Sequence, residues 1–242
     1  MTGPVMEAAG STKVLGAGAA QIRALKGVNL SLKGGELTLL MGPSGSGKTT
    51  LLSILGCMLT PTEGTVRVRG DSIAGKGPED LARIRRENIG FVFQSYHLFP
   101  TLSAADNVRL SLDVRGETGK SARVRSGEAL DRVGLSSKMA NYPRELSGGE
   151  QQRVAIARAV VGNPSVILAD EPTAALDSEN GKAIMAILAD IAKDPGRGVL
   201  VVTHDPRLVP YAGRIVHIED GNIVREEAGG AGLKMMEDSG RA

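Results

Sequence analysis

Residues 37–49 read LTLLMGPSGSGKT, an apolar run that leads into a glycine-rich loop. The apolar run is typical of a strand covered on both faces, and a helix is predicted from Lys48 to Leu55. Between them, glycines let backbone N–H groups turn toward a phosphate, and the helix start adds the positive end of its dipole. The sequence therefore predicts a loop that binds a nucleoside triphosphate, made of Gly42, Pro43, Ser44, Gly45, Ser46, Gly47, Lys48, Thr49 and Thr50.

Two side chains of this loop have specific expected roles. Lys48 is expected to reach the β- and γ-phosphates, and the Thr49 hydroxyl is expected to bind Mg²⁺. Both roles are inferred from the motif, in which a glycine is followed by four residues and then by Gly-Lys-Thr. A predicted strand precedes the motif and a predicted helix follows it. That context favours a phosphate-binding loop over a glycine-rich turn without a ligand.

The composition narrows the possible functions. A formal net charge of +2, with no dense basic patch, gives no reason to expect nucleic acid as a partner. Cys57 is the only cysteine, which excludes a disulfide framework within the chain. No run approaches the ~18 apolar residues that span a membrane, so any work at a membrane is expected to need a partner.

Strand and helix patterns alternate at both ends of the chain. Strands are predicted at 28–32, 37–41, 64–68, 89–93, 165–169 and 198–203, and a hairpin at 214–225 around Asp220-Gly221. Helices are predicted at 48–55, from Pro78 onward, at 148–161 and at 178–193. This alternation predicts an α/β fold with a mostly parallel sheet. A helical stretch at about 95–144 interrupts it, residues 1–20 are expected to be loose, and residues 227–242 are expected to form a mobile tail.

Polar residues follow three of the predicted strands. Asp170 and Glu171 end one, His204 ends another and Gln94 ends a third. The carboxyl ends of parallel strands meet at one edge of the sheet, where such folds bind ligands. Beside the phosphate loop, Asp170 is expected to hold Mg²⁺, Glu171 to activate the attacking water, and His204 to contact the γ-phosphate. Taken alone, an Asp-Glu pair would more often be a solvated strand end.

The octet LSGGEQQR at residues 146–153 resembles the signature motif of the ATP-binding cassette (ABC) family. Ala175-Leu176-Asp177 resembles the D-loop of that family, residues 166–171 its Walker B strand, Gln94 its Q-loop glutamine, and Thr203-His204-Asp205 its switch histidine. From the residues themselves, Ser147 and Glu150 predict a capping box that displays backbone N–H groups at a helix start.

The resemblance implies a phosphate-loop (RecA-like) ATPase core at residues 12–94 and 145–226, with an antiparallel β-subdomain and a helical subdomain at about 95–144. It also implies ATP and Mg²⁺ as cofactors and a head-to-tail dimer with a second copy of the chain. In that dimer Ser147, Gly148, Gly149, Gln151 and Asp177 would complete the partner's ATP site. Catalysis would rest on Lys48, Gln94, Glu171 and His204, with Thr49, Gln94 and Asp170 at the metal.

Residues 93–103, followed by Asp106-Asn107-Val108, are similar to the ATPase subunits of the lipoprotein-release and macrolide-efflux group. That similarity implies a subunit on the cytoplasmic face of the bacterial inner membrane, which powers a separate permease. Tyr96, Leu98, Phe99 and Leu102 would contact the permease, although the same residues could instead pack the helical subdomain. An alternative is a mechanotransmitting ATPase of the cell-division kind, which regulates a membrane-bound partner without transport.

The sequence departs from the family pattern at one position. ABC ATPases usually stack an aromatic side chain on adenine near the N-terminus, and Leu15 falls near that position. Leucine can pack on a purine face but lacks the ring–ring interaction, which contributes roughly 0.5–1.5 kcal/mol in aromatic pairs. Weaker adenine binding is therefore expected.

Overall fold

The computed structural model describes residues 3–230, with only the backbone described for Ala19. The strands are β1 (Met6–Leu15), β2 (Ile22–Leu32), β3 (Glu36–Met41), β4 (Glu63–Val68), β5 (Asp71–Ser72), β6 (Ile89–Val92), β7 (Val166–Asp170), β8 (Gly198–Thr203), β9 (Arg214–Glu219) and β10 (Asn222–Ala228). The α-helices are α1 (Lys48–Leu55), α2 (Pro78–Asn88), α3 (Ala104–Asp113), α4 (Gly119–Arg132), α5 (Gly148–Val160) and α6 (Ser178–Ala192).

A six-stranded sheet in the order β10-β9-β3-β8-β7-β6 forms the centre of the fold. Its pairings are parallel from β9 to β6, and only β10 is antiparallel, as the second strand of the hairpin at Asp220-Gly221. The fold is therefore the predicted α/β phosphate-loop NTPase fold with a mostly parallel sheet. The carboxyl ends of β3, β6, β7 and β8 meet at one edge, which positions the residues that follow them.

Both faces of this sheet are covered, which explains the continuous apolar runs of its strands. Alternate side chains enter two separate cores. Leu39, Ile167 and Val201 face a core shared with α5 and α6. Leu40, Leu168 and Leu200, their neighbours in sequence, face a core shared with α1 and the antiparallel sheet. Because side chains alternate between the two faces of a strand, each of these strands contributes to both cores.

The antiparallel sheet, in the order β2-β1-β4-β5, corrects the expectation for the N-terminus. Residues 1–20 were expected to be loose, and a core was expected from residue 12, but β1 begins at Met6. Its sequence contains small residues and a Gly10 with a φ of +59°, and its pairing register shifts nearby. The strand forms because it lies between β2 and β4, which pair with both of its edges.

The C-terminal boundary also differs from the expectation. Glu227 and Ala228, expected in a mobile tail, pair with Ile215 and Arg214 at the end of β10. The remainder of the expected tail, from residue 231 on, lies outside the described residues. The helical stretch after β6 contains α3 and α4, which pack on α5 through buried Val108, Leu112 and Leu130.

Candidate active site

The glycine-rich loop between β3 and α1 depends on glycine at specific positions. Gly45 and Gly47 have φ angles of +80° and +99°, a region that favours glycine. A Cβ on Gly47 would lie 2.6 Å from the Ala24 carbonyl oxygen, and one on Gly42 would lie 2.1 Å from the Ile218 carbonyl oxygen. The loop is therefore packed against both β2 and β9, which fixes its shape before any ligand binds.

The turn between β9 and β10 supports the loop, a contact that the sequence did not reveal. The Gly221 N–H donates to the Ser46 carbonyl at 3.0 Å, and the Lys26 N–H donates to the Gly221 carbonyl at 2.8 Å. Gly221 thus joins the loop, the central sheet and the antiparallel sheet. The Asp-Gly pair signalled a hairpin, but only the strand order of the tertiary structure brings that hairpin to the loop.

A cavity of about 910 Å³ opens above the loop. It brings together predicted residues from three strand ends: Pro43, Ser44, Gly45, Gly47, Lys48, Thr49, Thr50, Asp170, Glu171 and His204. Leu15 also lines it, and so does its cross-strand partner Ile22, a residue that belongs to none of the sequence motifs. The volume lies in the range of small-molecule sites, and the lining suits an anionic group at one end and an apolar one at the other.

Lys48 and Thr49 lie at the first turn of α1. The Lys48 ammonium donates to the carbonyls of Gly42 and Pro43, at 2.8 and 2.7 Å, so it is held over the loop. Ser46 of the same loop is almost fully buried, and its hydroxyl has no hydrogen-bond partner among the described residues. Ser46 does not line the cavity, so this unused hydroxyl lies within the loop and not on the surface that faces a ligand.

Asp170 ends β7 and lies half-buried in the cavity wall. Burial raises the pKa of its carboxyl, and the neighbouring Glu171 raises it further, while the Lys48 ammonium acts in the opposite direction. A bound cation would favour the ionised carboxylate at this position. Asp170 and Thr49 together supply hard oxygen donors, which fit Mg²⁺.

We do not expect protein side chains alone to coordinate that ion. Within residues 3–230, no group of three or more His, Cys, Asp or Glu residues could hold a metal. Mg²⁺ is commonly bound by one or two protein oxygens together with substrate phosphates and water. The donor set of the cavity therefore fits an ion that arrives with a nucleotide.

Glu171 has an unusual backbone conformation for its residue type. Its φ is +44°, and its N–H donates to the Val202 carbonyl at 2.9 Å. A non-glycine residue in this region costs on the order of 1–3 kcal/mol and persists only where its surroundings hold it. One carboxylate oxygen lies 2.7 Å from His204 Nδ1, and the other accepts from the Thr203 hydroxyl at 3.2 Å. Thr203, the last residue of β8, and His204, which follows it, thus orient the carboxylate.

Gln94 differs from the other predicted catalytic residues. It is exposed and does not belong to the lining of the cavity. It follows β6, whose last residue, Val92, pairs with Ala169 on β7. The residue therefore lies at the same edge of the sheet as Asp170 without sharing its cavity.

The signature residues also lie outside the cavity of their own chain. The Ser147 hydroxyl accepts from the Glu150 N–H at 3.3 Å, and the Glu150 carboxylate accepts from the Ser147 N–H at 2.8 Å. This confirms the predicted capping box at the start of α5. The Ser147 backbone N–H holds the pKa of Glu150 below its usual value. Gln151 donates to the Leu146 carbonyl at 3.0 Å and braces the same turn.

The two signature glycines contact other segments closely. A Cβ on Gly148 would lie 2.8 Å from the Tyr96 hydroxyl oxygen, and one on Gly149 would lie 2.4 Å from Asn180 Oδ1. Asn180 in turn donates to Asp177, which caps α6. The predicted signature and D-loop residues are therefore adjacent within one chain.

The family model of the ABC transporter matches residues 25–174. This chain belongs to the ABC transporter family. The cassette is 46% identical over 222 residues to the macrolide export ATP-binding/permease protein MacB of Escherichia coli (strain K12), a match that covers 92% of this chain and 34% of MacB. It is also 46% identical over 208 residues to the pyoverdine export ATP-binding/permease protein PvdT of Pseudomonas fluorescens, covering 86% of this chain and 32% of PvdT. The cassette thus spans about a third of the length of these curated relatives.

Solved structures give the same result. A dimeric post-hydrolysis state of the ATP-binding cassette MJ0796, bound to ADP and Pi, matches with a TM-score of 0.84 and 44% identity, covering 92% of this chain and 98% of that chain. CbiO1 of Clostridium perfringens matches with a TM-score of 0.84 and 28% identity, covering 99% of this chain and 94% of its own. The cassette is therefore an ABC ATPase, which binds and hydrolyses ATP.

A groove of about 500 Å³ lies on another side of the cassette, between α2, β6, α3 and α5. Phe91 and Phe93 stack in its wall with ring centroids 5.4 Å apart, and Phe99, half exposed, lies at its rim. Of the four residues expected to contact a permease, only Phe99 lines this groove. Leu98 instead packs against the core. No helix within residues 3–230 is long and apolar enough to cross a membrane.

Proposed function

We propose that this cassette is the ATPase of a bacterial membrane transporter and works as a head-to-tail dimer. The observation that supports it is that the residues expected to form one ATP site lie in two separate places on the chain. Lys48, Thr49 and Glu171 share a cavity, whereas the capped start of α5 lies outside it. A helix start with exposed N–H groups binds anions, so a second copy would supply it to the γ-phosphate.

Each predicted residue then has a role in this composite site. The loop and Lys48 bind the triphosphate, and Glu171 orients and polarises the attacking water, aimed by His204 and Thr203. Thr49 and Asp170, which line the cavity, would hold Mg²⁺ to neutralise charge on the phosphates, and Gln94, exposed at the same edge of the sheet, would join them in the assembled site. Ser147, Gly148, Gly149 and Gln151 of the second copy cover the γ-phosphate. Asp177, exposed at the start of α6, crosses to the partner.

The relatives support export as the direction of transport. MacB and PvdT are named as export proteins that combine an ATP-binding region with a permease. We propose efflux, or release of a lipoprotein or lipid, as the work that this cassette drives. It would act as a peripheral subunit on the cytoplasmic face of the membrane.

ATP-dependent dimerisation tests this proposal. Glu171→Gln is expected to bind ATP without hydrolysing it, and it should shift from monomer to dimer in sedimentation velocity when ATP is added. A second change, Ser147→Arg, should abolish that dimer and leave binding of a fluorescent ATP analogue to the monomer unchanged. Ser137→Arg, an exposed position elsewhere, is the matched control. Equal dimerisation of the Ser147→Arg variant would refute the composite site.

The groove is the proposed contact for the permease, centred on Phe99 rather than on Leu98. Four arginines line it, namely Arg85, Arg86, Arg115 and Arg158, and none of its described lining residues is acidic. Three of them donate to backbone carbonyls rather than to carboxylates: Arg85 to Cys57, Arg115 to Gly162, and Arg158 to Tyr96 and His97. Apolar rings and the positive charge of this lining together suit a permease segment that carries both apolar and acidic side chains.

Charge reversal tests this contact. The cassette would be co-purified with the membrane protein encoded beside it. Arg86→Glu should lower recovery of the complex at least about fivefold because it places like charge against an acidic segment. Arg83→Glu lies on the same helix outside the groove and should leave recovery unchanged. Full recovery with Arg86→Glu and with Phe99→Ala would exclude this groove as the contact.

A further inference from the structure

Arg158, on the last turns of α5, holds a bend that follows Gln94. Its Nη1 donates to the His97 carbonyl at 2.5 Å, and its Nη2 donates to the Tyr96 carbonyl at 2.8 Å. Burial lowers the pKa of the guanidinium. Arg158 has no ion pair within the described part of the chain, so its bonding at this site is to these two consecutive carbonyls.

The bend itself is strained. Tyr96 and His97 have φ angles of +61° and +47°, and consecutive non-glycine residues in this region are uncommon. Such a conformation persists only where its surroundings hold it. The His97 ring packs on Phe93, with ring centroids 4.7 Å apart. The guanidinium of Arg158 donates hydrogen bonds to the two backbone carbonyls of the bend.

The two residues of the bend contact different functional regions. His97 lines the basic aromatic groove. The Tyr96 hydroxyl reaches the start of α5, where a Cβ on Gly148 would lie only 2.8 Å away from it. A shift of one residue therefore requires a shift of the other, since Arg158 holds both carbonyls.

We infer that Arg158 is a positioning residue, which links the groove to the signature by holding Tyr96 against Gly148. The inference rests on the proposed function, because the groove and the signature have their roles only there. Arg158 does not line the cavity above the phosphate loop, so it acts through Tyr96. The planar guanidinium presents its N–H groups to these two carbonyls in a fixed fork, whereas a lysine ammonium on its flexible stem would hold them less rigidly.

Hydrogen exchange of the nucleotide-free cassette tests the link without requiring a dimer. Arg158→Lys should raise amide exchange at residues 95–98 and also at residues 147–151, each on the order of tenfold, the effect expected when a bracing hydrogen bond is lost. Arg115→Lys is the matched control because Arg115 also lines the groove, has its pKa lowered by burial and donates to backbone carbonyls. Arg115→Lys should leave the amide exchange of residues 147–151 unchanged.

A second measurement connects the link to function. In the Glu171→Gln background, Arg158→Lys and Tyr96→Ala should each weaken ATP-dependent dimerisation about tenfold, with analogue binding to the monomer unchanged. The double variant should be no weaker than either single variant, as expected for residues that act as a unit. Faster exchange confined to residues 95–98, or additive losses in the double variant, would overturn the inference. Failure of the Glu171→Gln parent to dimerise would instead count against the proposed function, and the exchange result would still decide the role of Arg158.

Discussion

Glu171 Oε1 lies 2.7 Å from Nδ1 of His204, across the ends of the neighbouring strands β7 and β8. A carboxylate oxygen accepts hydrogen bonds, so this contact favours the tautomer with the proton on Nδ1, and Nε2 has no hydrogen-bond partner among residues 3–230. Glu171 is mostly buried, while the His204 side chain is 71% exposed. The histidine is therefore the outer partner, which can both aim the carboxylate and contact a phosphate that enters the cavity.

Glu171→Gln should nearly stop ATP hydrolysis while leaving ATP binding intact. The glutamine oxygen can still accept from His204, so the geometry is kept and only the basic carboxylate is lost. A general base contributes typically about 10²- to 10⁴-fold to a rate, and the loss should lie in that range. Phosphate release under saturating ATP measures it. More than about a tenth of the parent rate would contradict the role of Glu171 as the base.

Asp170→Asn should stabilise the nucleotide-free cassette while abolishing Mg²⁺-dependent hydrolysis. Burial and Glu171 raise the pKa of Asp170 above the unfolded value of 3.8, so the ionised group costs stability at any pH above both pKa values. The variant should therefore melt at a higher temperature than the parent near neutral pH. This advantage should shrink as the pH falls through the folded-state pKa and vanish below the unfolded one. Lower stability of the variant near neutral pH would contradict the assigned cause.

Leu15→Tyr should tighten ATP binding about 2- to 12-fold. The cross-strand pair of Leu15 and Ile22 lines the cavity, and an aromatic ring there would add a stacking contribution of roughly 0.5–1.5 kcal/mol. Calorimetric titration of the cassette with ATP measures the gain. Leu15→Tyr should not change the affinity for tripolyphosphate. As a control, Val124→Tyr, at an exposed position on α4, should not change the affinity for either ligand. An equal gain for tripolyphosphate would show that the base does not lie at Leu15.

Ser147→Ala and Ser147→Asp should separate the two roles of the capping residue. Alanine removes the cap of α5 and should lower the free energy of unfolding by about 1 kcal/mol, whereas aspartate is itself a good cap and should preserve it. Both should weaken the ATP-dependent dimer, aspartate more strongly because its charge opposes the partner's phosphate. Urea unfolding and sedimentation velocity provide the two measurements. A dimer that tolerates aspartate would contradict the phosphate contact.

The local motifs were predictable because their physics is local. A glycine-rich turn between a buried strand and a helix, or a serine three residues before a glutamate, has the same backbone geometry in many surroundings. The loop at residues 42–49, helix α1 and the capping box of α5 could therefore be predicted from a few consecutive residues. The alternation of strands and helices likewise predicted the parallel sheet.

The tertiary structure decided what depends on residues far apart in sequence. Strand β1 has weak strand propensity and forms because β2 and β4 pair with its two edges. Gly221 supports the phosphate loop, and Arg158 holds Tyr96 and His97, only because sheet order and helix packing bring them together. The sequence alone was enough to predict which residues carry the chemistry, because each motif is built from neighbours. The fold determined how their side chains are aimed, because that depends on hydrogen bonds and packing between distant segments.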